Sequence, residues 1–95
     1  MTGAPLPSLI LYARAGCGLC DEARETLESL LAERRAAGRP APALVERDID
    51  ADASLRAAFR ETIPVVELGD LRLELAVSPA RLRRLLERLD AGPPG

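Results

Sequence analysis

Apolar and polar residues along the chain follow two spacings, one typical of strands and one typical of helices. Residues 9–12 are a continuous run of strand-forming apolar residues that ends at a glycine turn, which predicts a buried central strand. From Asp21 to about Ala37 the apolar residues recur at helical spacing, which predicts a long helix. Its predicted inward residues are Ala23, Leu27, Leu30 and Leu31, and its predicted outward residues are Glu22, Glu25, Glu28, Arg34 and Arg35.

The middle of the chain predicts a second strand and a short helix. Residues 43–50 begin with apolar residues and then alternate between Val45, Arg47 and Ile49 and charged neighbours, which is typical of a strand near the edge of a sheet. Residues 52–61 predict a helix capped by Asp52 or Ser54. Its predicted inward residues are Leu55, Ala58 and Phe59.

The last third predicts a hairpin and a final helix. Residues 62–68 form a strand opened by Pro64, and residues 71–75 alternate at period two after a Gly69–Asp70 turn. Ser78 and the proline after it have the residue types of a helix N-cap and first turn. The predicted buried stripe of this helix is Leu82, Leu85, Leu86 and Leu89.

The predicted order is therefore β-α-β-α-β-β-α. A parallel first pair of strands, a hairpin and helices on both faces make an α/β three-layer sandwich around a four-stranded mixed sheet. The length of 95 residues suits a single domain, spanning 1–95, with an ordered core at about 8–90. The final residues, AGPPG, predict a frayed tail.

Composition limits the functions open to such a domain. The chain has thirteen arginines, no lysine and 15 acidic residues, and its net charge of −2 argues against a nucleic-acid partner. The absence of histidine removes the usual base of a cysteine nucleophile and zinc sites that mix cysteine with histidine. The start of the chain has neither a basic targeting region nor an apolar stretch long enough for a membrane, so we expect a cytoplasmic protein.

The two cysteines carry the most specific signal. They stand three positions apart in RAGCGLC, with Cys17 ending the turn and Cys20 in the first helical turn, so their sulfurs can form a disulfide. The positive end of the helix lowers the pKa of the Cys17 thiol, which predicts Cys17 as the attacking thiol and Cys20 as the resolving thiol. Arg14 would stabilise the Cys17 thiolate, whereas Asp21 and Glu22 would oppose it.

Two other interpretations of the pair stay open. The cysteines could be small core residues, although the glycines on either side of Cys17 favour exposure. They could instead bind zinc or an iron–sulfur cluster, which needs four ligands and therefore a second chain or external thiols. A redox-inert interaction module on the same fold is a third alternative.

The first strand, RAGCGLC, the long helix and Thr62–Ile63–Pro64 together resemble the glutaredoxin-like members of the thioredoxin superfamily, over residues of about 9 to 89. The resemblance implies a thioredoxin fold of glutaredoxin type and thiol–disulfide oxidoreductase activity. It also implies a cis bond before Pro64, with the backbone of Ile63 free to pair with a bound peptide or glutathione. Arg14 matches a basic residue that meets a glutathione carboxylate in that family.

The chain departs from the family where glutaredoxins carry a Gly-Gly and acidic stretch for glutathione. Here the sequence is ELAVSPARL, in which the amides of residues 76–78 could still meet an anion. We expect no tightly bound cofactor and no metal, with glutathione as a co-substrate at most. The expected partners of a monomer are disulfide-containing proteins and a thiol reductant system, and Leu19 and Val77 are candidates for meeting a protein substrate.

Two charged patterns predict no further site. Asp48, Asp50 and Asp52 imitate the start of a calcium loop, but Ala53 and Phe59 occupy the positions that need glycine and glutamate. Strand-exit and cap roles explain these carboxylates. Arg81, Arg84 and Arg88 form one stripe on the last helix, which is typical of a solvated face.

Overall fold

The computed structural model of the protein describes residues 6–91, and its elements follow the predicted order. Residues 92–95, most of the predicted frayed tail, lie outside that range, as do residues 1–5. Short 3-10 turns follow the second strand and the last helix, at Ile49–Ala51 and Arg88–Asp90. The helices and strands are β1 Leu9–Ala13, α1 Gly18–Ala36, β2 Leu44–Asp48, α2 Ala53–Phe59, β3 Val65–Leu68, β4 Leu71–Leu73 and α3 Pro79–Glu87.

The four strands form one mixed sheet in the order β2-β1-β3-β4. β1 is central, as predicted, because it pairs in parallel with β2 and antiparallel with β3. β3 and β4 form the predicted hairpin, in which Gly69 has a φ of 57° that suits the turn. The register places Ala13 opposite Asp48 and Tyr12 opposite Val65, so the chain leaving β1, the chain leaving β2 and the chain entering β3 meet at one edge.

The alternation of side chains along β1 divides the core between two faces of the sheet. Leu9, Leu11 and Ala13 face α1 and α3, and they belong to the larger apolar cluster with Leu27 and Leu82. Tyr12 faces α2 and belongs to a smaller cluster with Ile49, Phe59 and Val65. Helices therefore cover both faces, and the predicted three-layer arrangement is confirmed.

The face covered by α2 is held by aromatic and charged side chains. The rings of Tyr12 and Phe59 pack at 4.7 Å between centroids, and the Arg72 guanidinium lies 5.0 Å from the Phe59 ring centre. The Tyr12 hydroxyl donates to Glu67 at 2.8 Å. The prediction that Ala58 points inward was wrong, because a helix of seven residues that buries Phe59 and half-buries Leu55 turns the intervening Ala58 to solvent.

The sequence prediction of α1 needs two corrections. The helix begins at Gly18, three residues before the predicted start, because Cys17 caps its first turn. Arg34, predicted to face outward, is only 7% exposed. Its guanidinium donates to the Pro40 carbonyl at 2.6 Å and to both carboxylate oxygens of Asp90 at 2.5 and 3.2 Å, so its charge and hydrogen bonds are satisfied inside the fold.

The last predicted strand is shorter than expected. β4 ends at Leu73, whereas the alternating pattern predicted a strand to residue 75. Leu75 has a φ of 49°, and its carbonyl accepts from the Val77 amide at 2.8 Å in a tight turn. The turn directs the chain across the segment before β3, where Leu75 donates to the Thr62 carbonyl and Ala76 to the Pro64 carbonyl, at 2.9 and 2.8 Å.

Candidate active site

The two cysteines stand where the turn after β1 enters α1. Gly16 in this turn has a φ of 76°, a conformation that side chains with a Cβ rarely adopt. Cys17 is the N-cap of α1, and its sulfur accepts a hydrogen bond from the Cys20 amide at 3.1 Å. The cap position usually holds a side-chain oxygen, so here a sulfur meets the free amides of the first helical turn.

Cys17 and Cys20 are joined by a disulfide. Their Cα atoms are 5.2 Å apart, inside the usual range for a disulfide. Cys17 is partly exposed, whereas Cys20 is completely buried in the larger core cluster. Of the two cysteines, only Cys17 is therefore open to a molecule in solution.

Arg14, the predicted anion ligand, is already paired. Its guanidinium donates to both carboxylate oxygens of Asp50, at 2.6 and 3.1 Å. The hydrogen bonds and charge of Arg14 hold the pKa of Asp50 below its usual value. Asp50 belongs to the 3-10 turn after β2, which the parallel pairing of β1 and β2 brings to the same edge as Arg14.

A second arginine offsets the acidic start of α1. Arg24 donates to Asp21 at 2.8 Å and to both oxygens of Glu46 on β2, at 2.6 Å each. Arg24 lowers the pKa of Glu46 through these hydrogen bonds. Because Asp21 is paired, its negative charge opposes an anion at Cys17 less than the sequence alone suggested.

The Ile63–Pro64 peptide bond is cis, as the resemblance implied. Pro64 is buried, and Ile63 packs against both core clusters. The expectation that the whole backbone of Ile63 is free was wrong, because its amide donates to the Phe59 carbonyl at 3.1 Å as the chain leaves α2. The role of Ile63 and Pro64 in binding a substrate stays a prediction.

Three exposed apolar side chains stand on the segments that form this edge. Leu19 lies between the cysteines and is 49% exposed, and Val77 is 41% exposed, as expected for both. Leu75 is 52% exposed and was missed, because the alternating pattern placed it in a strand. Leu75 and Val77 lie on the segment that is hydrogen-bonded to Thr62 and Pro64.

The amides before α3 are largely occupied. Ala76 donates to Pro64 and Val77 donates to Leu75, both at 2.8 Å. Ser78 caps the helix by accepting from the Arg81 amide at 3.2 Å, as predicted. The expectation that residues 76–78 offer three amides to an anion was therefore wrong for two of them, because the chain crossing at Pro64 uses one and the tight turn uses the other.

Two of the carboxylates that resemble the start of a calcium loop accept hydrogen bonds from backbone amides. Asp48 accepts from the Asp50 amide at 2.9 Å, and Asp52 caps α2 by accepting from the amides of Ser54 and Leu55. Both roles agree with the strand-exit and cap interpretation. Within residues 6–91, no group of three or more cysteine, aspartate or glutamate side chains is placed to hold a metal ion.

The cysteine-capped helix and the cis proline stand on segments that meet at one edge of the sheet. The family model described as Glutaredoxin-like domain (DUF836) matches residues 8–90. The chain belongs to this glutaredoxin-like family. A search of the curated proteins found no match.

Solved structures place the glutaredoxin-like chain in a wider fold. The X-ray structure of target protein XcR50 from X. campestris is similar at 34% identity and a TM-score of 0.66, covering 90% of this chain and 100% of that one. Protein Ne2328 from Nitrosomonas europaea shares 22% identity with a TM-score of 0.54, covering 78% and 80% of the two chains. The germline-specific thioredoxin Deadhead from Drosophila melanogaster shares 20% identity with a TM-score of 0.57, covering 85% and 78%. The glutaredoxin-like domain therefore has the thioredoxin fold.

None of the helices between residues 6 and 91 is long and apolar enough to span a membrane.

Proposed function

We propose that this glutaredoxin-like protein is a dithiol–disulfide oxidoreductase in which Cys17 attacks and Cys20 resolves. The observation that supports this most is the unequal exposure of the two cysteines at the start of α1. A partly exposed Cys17 is open to an incoming disulfide, whereas the buried Cys20 is reachable only from Cys17.

The position of Cys17 favours its thiolate once the disulfide is reduced. The Cys20 amide already points at the Cys17 sulfur, at 3.1 Å, and a hydrogen bond to the charged form lowers the pKa of a thiol. The free amides at the start of α1 and the helix dipole act in the same direction. Cys20 has no comparable position, because it lies inside the first turn among apolar side chains.

The proposed reaction transfers two electrons in two exchange steps. The Cys17 thiolate attacks one sulfur of the substrate disulfide, so a mixed disulfide forms and the other substrate sulfur leaves as a thiolate. Cys20 then loses its proton and attacks the Cys17 sulfur. This step forms the Cys17–Cys20 disulfide and releases the second substrate thiol, so the substrate is reduced and the protein oxidised. Two thiols of a reductant, such as two glutathione molecules, reverse the change in the protein.

Protein disulfides fit the surroundings of Cys17 better than glutathione does. Leu19, Leu75 and Val77 offer exposed apolar contacts to a polypeptide. By contrast, the Arg14 guanidinium already donates hydrogen bonds to Asp50, and the amides of residues 76 and 77 already donate to backbone carbonyls. We therefore propose protein disulfides as substrates, the Ile63 carbonyl and Pro64 as part of their platform, and glutathione as a reducing thiol.

Redox titration of the cysteine pair tests this function. The intramolecular disulfide is followed by intact-protein mass spectrometry in metal-free protein across defined ratios of reduced to oxidised glutathione. We expect one reversible two-electron transition. Cys17→Ser should abolish reaction with a disulfide substrate, and Cys20→Ser should accumulate the mixed disulfide on Cys17, so each variant serves as the control for the other.

Two results would contradict the proposal. One is a pair that stays reduced at every ratio, and the other is equal trapping of mixed disulfide by Cys17→Ser and Cys20→Ser. In the first case, metal analysis of protein purified without oxygen would test the alternative of a thiolate metal site shared between chains.

A further inference from the structure

A groove runs between the free edge of β4 and the outer side of α3, outside the cysteine site. Its volume is about 490 Å³. A second cavity of about 480 Å³ shares Leu71 and Arg88 with it and extends it towards Gly69 and Leu89. We call it the arginine-rimmed groove, because half-buried residues form its floor and exposed arginines form its rim. The floor residues are Leu71, Leu73 and Leu85, and the rim residues are Arg81, Arg84 and Arg88.

The charge of the rim is not balanced by its surroundings. Arg81, Arg84 and Arg88 form no salt bridge with any residue between 6 and 91, whereas seven of the other arginines do. Glu87 and, in the second cavity, Asp70 are the acidic residues among those that line the groove. Three of the six arginines that form no salt bridge in the described range therefore lie on one stripe along α3 and the 3-10 turn after it.

The floor and the edge of the groove suit an extended polypeptide. Among the residues that the structure describes, β4 pairs only with β3, so its outer edge presents unpaired amides and carbonyls to an added strand. Leu71 and Leu73 share one face of β4, as pockets for alternate side chains would require. From Arg81 to Arg88 the helix rises by about 10 Å, a distance that about three residues of an extended chain cover.

Nucleic acid fits this groove less well than a peptide does. The chain contains one tyrosine and one phenylalanine, and both pack between α2 and the sheet, on the face opposite the groove. The groove therefore has no aromatic side chain on which a base could stack. Its leucine floor offers apolar contacts that a phosphate backbone does not use.

From the charge, floor and free edge together, we infer that the arginine-rimmed groove binds an extended acidic peptide segment that adds to the edge of β4 and carries both its acidic and its apolar residues, at every second position, on the face towards α3. This inference goes beyond the proposed function, because the groove shares no residue with the cysteine site. It holds or fails independently of thiol–disulfide exchange.

The test is a nuclear magnetic resonance titration of the isotope-labelled, oxidised protein with a blocked peptide in which leucine and aspartate take turns at every second position, with serine between them. We expect saturable shifts of the amide signals of β4 and α3, with affinity that falls as salt rises. The same peptide with asparagine in place of aspartate should bind roughly tenfold more weakly, if three exposed ion pairs contribute at the usual strength. A version with methylated backbone amides should also bind more weakly, since it cannot complete the added strand.

Matched charge variants localise the effect. Arg81→Gln, Arg84→Gln and Arg88→Gln combined take the net charge from −2 to −5 and should weaken binding roughly tenfold. Arg35→Gln, Arg47→Gln and Arg56→Gln combined make the same change of net charge with exposed arginines on other surfaces, and should leave the affinity within about twofold. Circular dichroism of both variants checks that the fold is retained.

Three results would overturn the inference. The first is equal binding of the aspartate and asparagine peptides. The second is equal loss of affinity in the two triple variants, which would mean that net charge alone acts. The third is a single-stranded oligonucleotide of the same charge that shifts the same signals at least as strongly, which would make the groove a nucleic-acid site.

Discussion

Arg14 and its partner Asp50 lie 36 positions apart in the sequence, and their pairing changes what Arg14 can bind. A guanidinium that already holds two carboxylate oxygens has to release them before it can hold those of a ligand. The pair is nearly 40% exposed on both sides, so exchange with a ligand is open but opposed by Asp50. We therefore expect Asp50 to limit the rate at which the protein reacts with disulfides that carry carboxylates.

Asp50→Asn should raise the rate with glutathione disulfide and leave the rate with an uncharged disulfide, bis(2-hydroxyethyl) disulfide, unchanged. The expected gain in kcat/KM for glutathione disulfide is roughly two- to fivefold, the strength of an exposed ion pair. Steady-state assays with both substrates measure it. Adding Arg14→Gln to Asp50→Asn should remove the gain. An equal gain with both substrates, or a gain that survives Arg14→Gln, would contradict this role.

Arg34 has a structural role that its exposed neighbour Arg35 does not share. Arg34→Gln leaves the Pro40 carbonyl and the Asp90 carboxylate without their strongest donor. We expect the free energy of unfolding in urea to fall by about 1–3 kcal/mol. Arg35→Gln, on the same helix and exposed, should change it by less than about 0.5 kcal/mol. Equal effects of the two substitutions would show that the buried pair does not stabilise the fold.

α2 is the shortest helix and depends on one side chain for its attachment. Among its residues only Phe59 is buried, against Tyr12 and under the guanidinium of Arg72. The same residue supplies the carbonyl that accepts from the amides of Thr62 and Ile63, so α2 also positions the segment before the cis bond. Loss of the ring should therefore affect the face of the sheet that α2 covers.

Phe59→Ala should lower the free energy of unfolding by about 3–4 kcal/mol, because it removes a buried ring and leaves a cavity. Phe59→Leu keeps most of the volume and should cost less than half as much. Ala58→Ser, at the exposed position beside it, is the matched control and should be nearly neutral. Urea unfolding of oxidised protein measures all three. A loss of less than about 1 kcal/mol for Phe59→Ala would mean that α2 is not anchored by its ring.

Over the whole molecule, arginine–carboxylate pairs join segments that are distant in the sequence. Arg24–Glu46 links α1 to β2, Arg14–Asp50 links the cysteine turn to the chain after β2, and Arg34–Asp90 links the end of α1 to the turn after α3. In each pair the arginine holds the pKa of the carboxyl below its usual value. Stability should therefore depend on pH through these three carboxylates together.

The direction in which stability changes with pH follows from proton uptake on unfolding. The unfolded chain has carboxyl groups with ordinary pKa values, 3.8 for aspartate and 4.5 for glutamate, and takes up protons at a higher pH than the folded chain. The stability from the pairs is thus complete above those ordinary values and is lost as pH falls through the lowered pKa values. We expect the Tm of the oxidised protein to be level down to about pH 5 and to fall below about pH 4.

Thermal unfolding by circular dichroism between about pH 3 and 8 checks this expectation. Glu46→Gln combined with Asp50→Asn should make the fall shallower. A Tm that stays level to about pH 3 would contradict it.

At the alkaline end, burial and Glu67 raise the pKa of Tyr12, so the stability that Tyr12 contributes should be complete below pH 10 and decline as pH rises through the raised value.

The sequence by itself determined the order of the elements, the central place of β1 and the cap at Ser78, and it offered Asp52 as one of two caps for α2. It also placed the cysteines at the start of a helix, and the glycines around Cys17 favoured its exposure. These features depend on residues within about four positions of one another, where strand and helix spacing and capping chemistry act directly. Even the burial of Arg34 had a signal, because it continues the stripe of Leu27, Leu30 and Leu31.

Only the tertiary structure decided which charged groups meet and which backbone groups are free. Asp50 reaches Arg14 and Asp90 reaches Arg34 because parallel strand pairing and the packing of α3 on α1 bring distant segments together. The positive φ of Leu75 and the engaged amide of Ile63 follow from the chain crossing at Pro64. Local patterns carry no record of contacts between residues 36 or 56 positions apart, so the electrostatics of the candidate site could be derived only after folding.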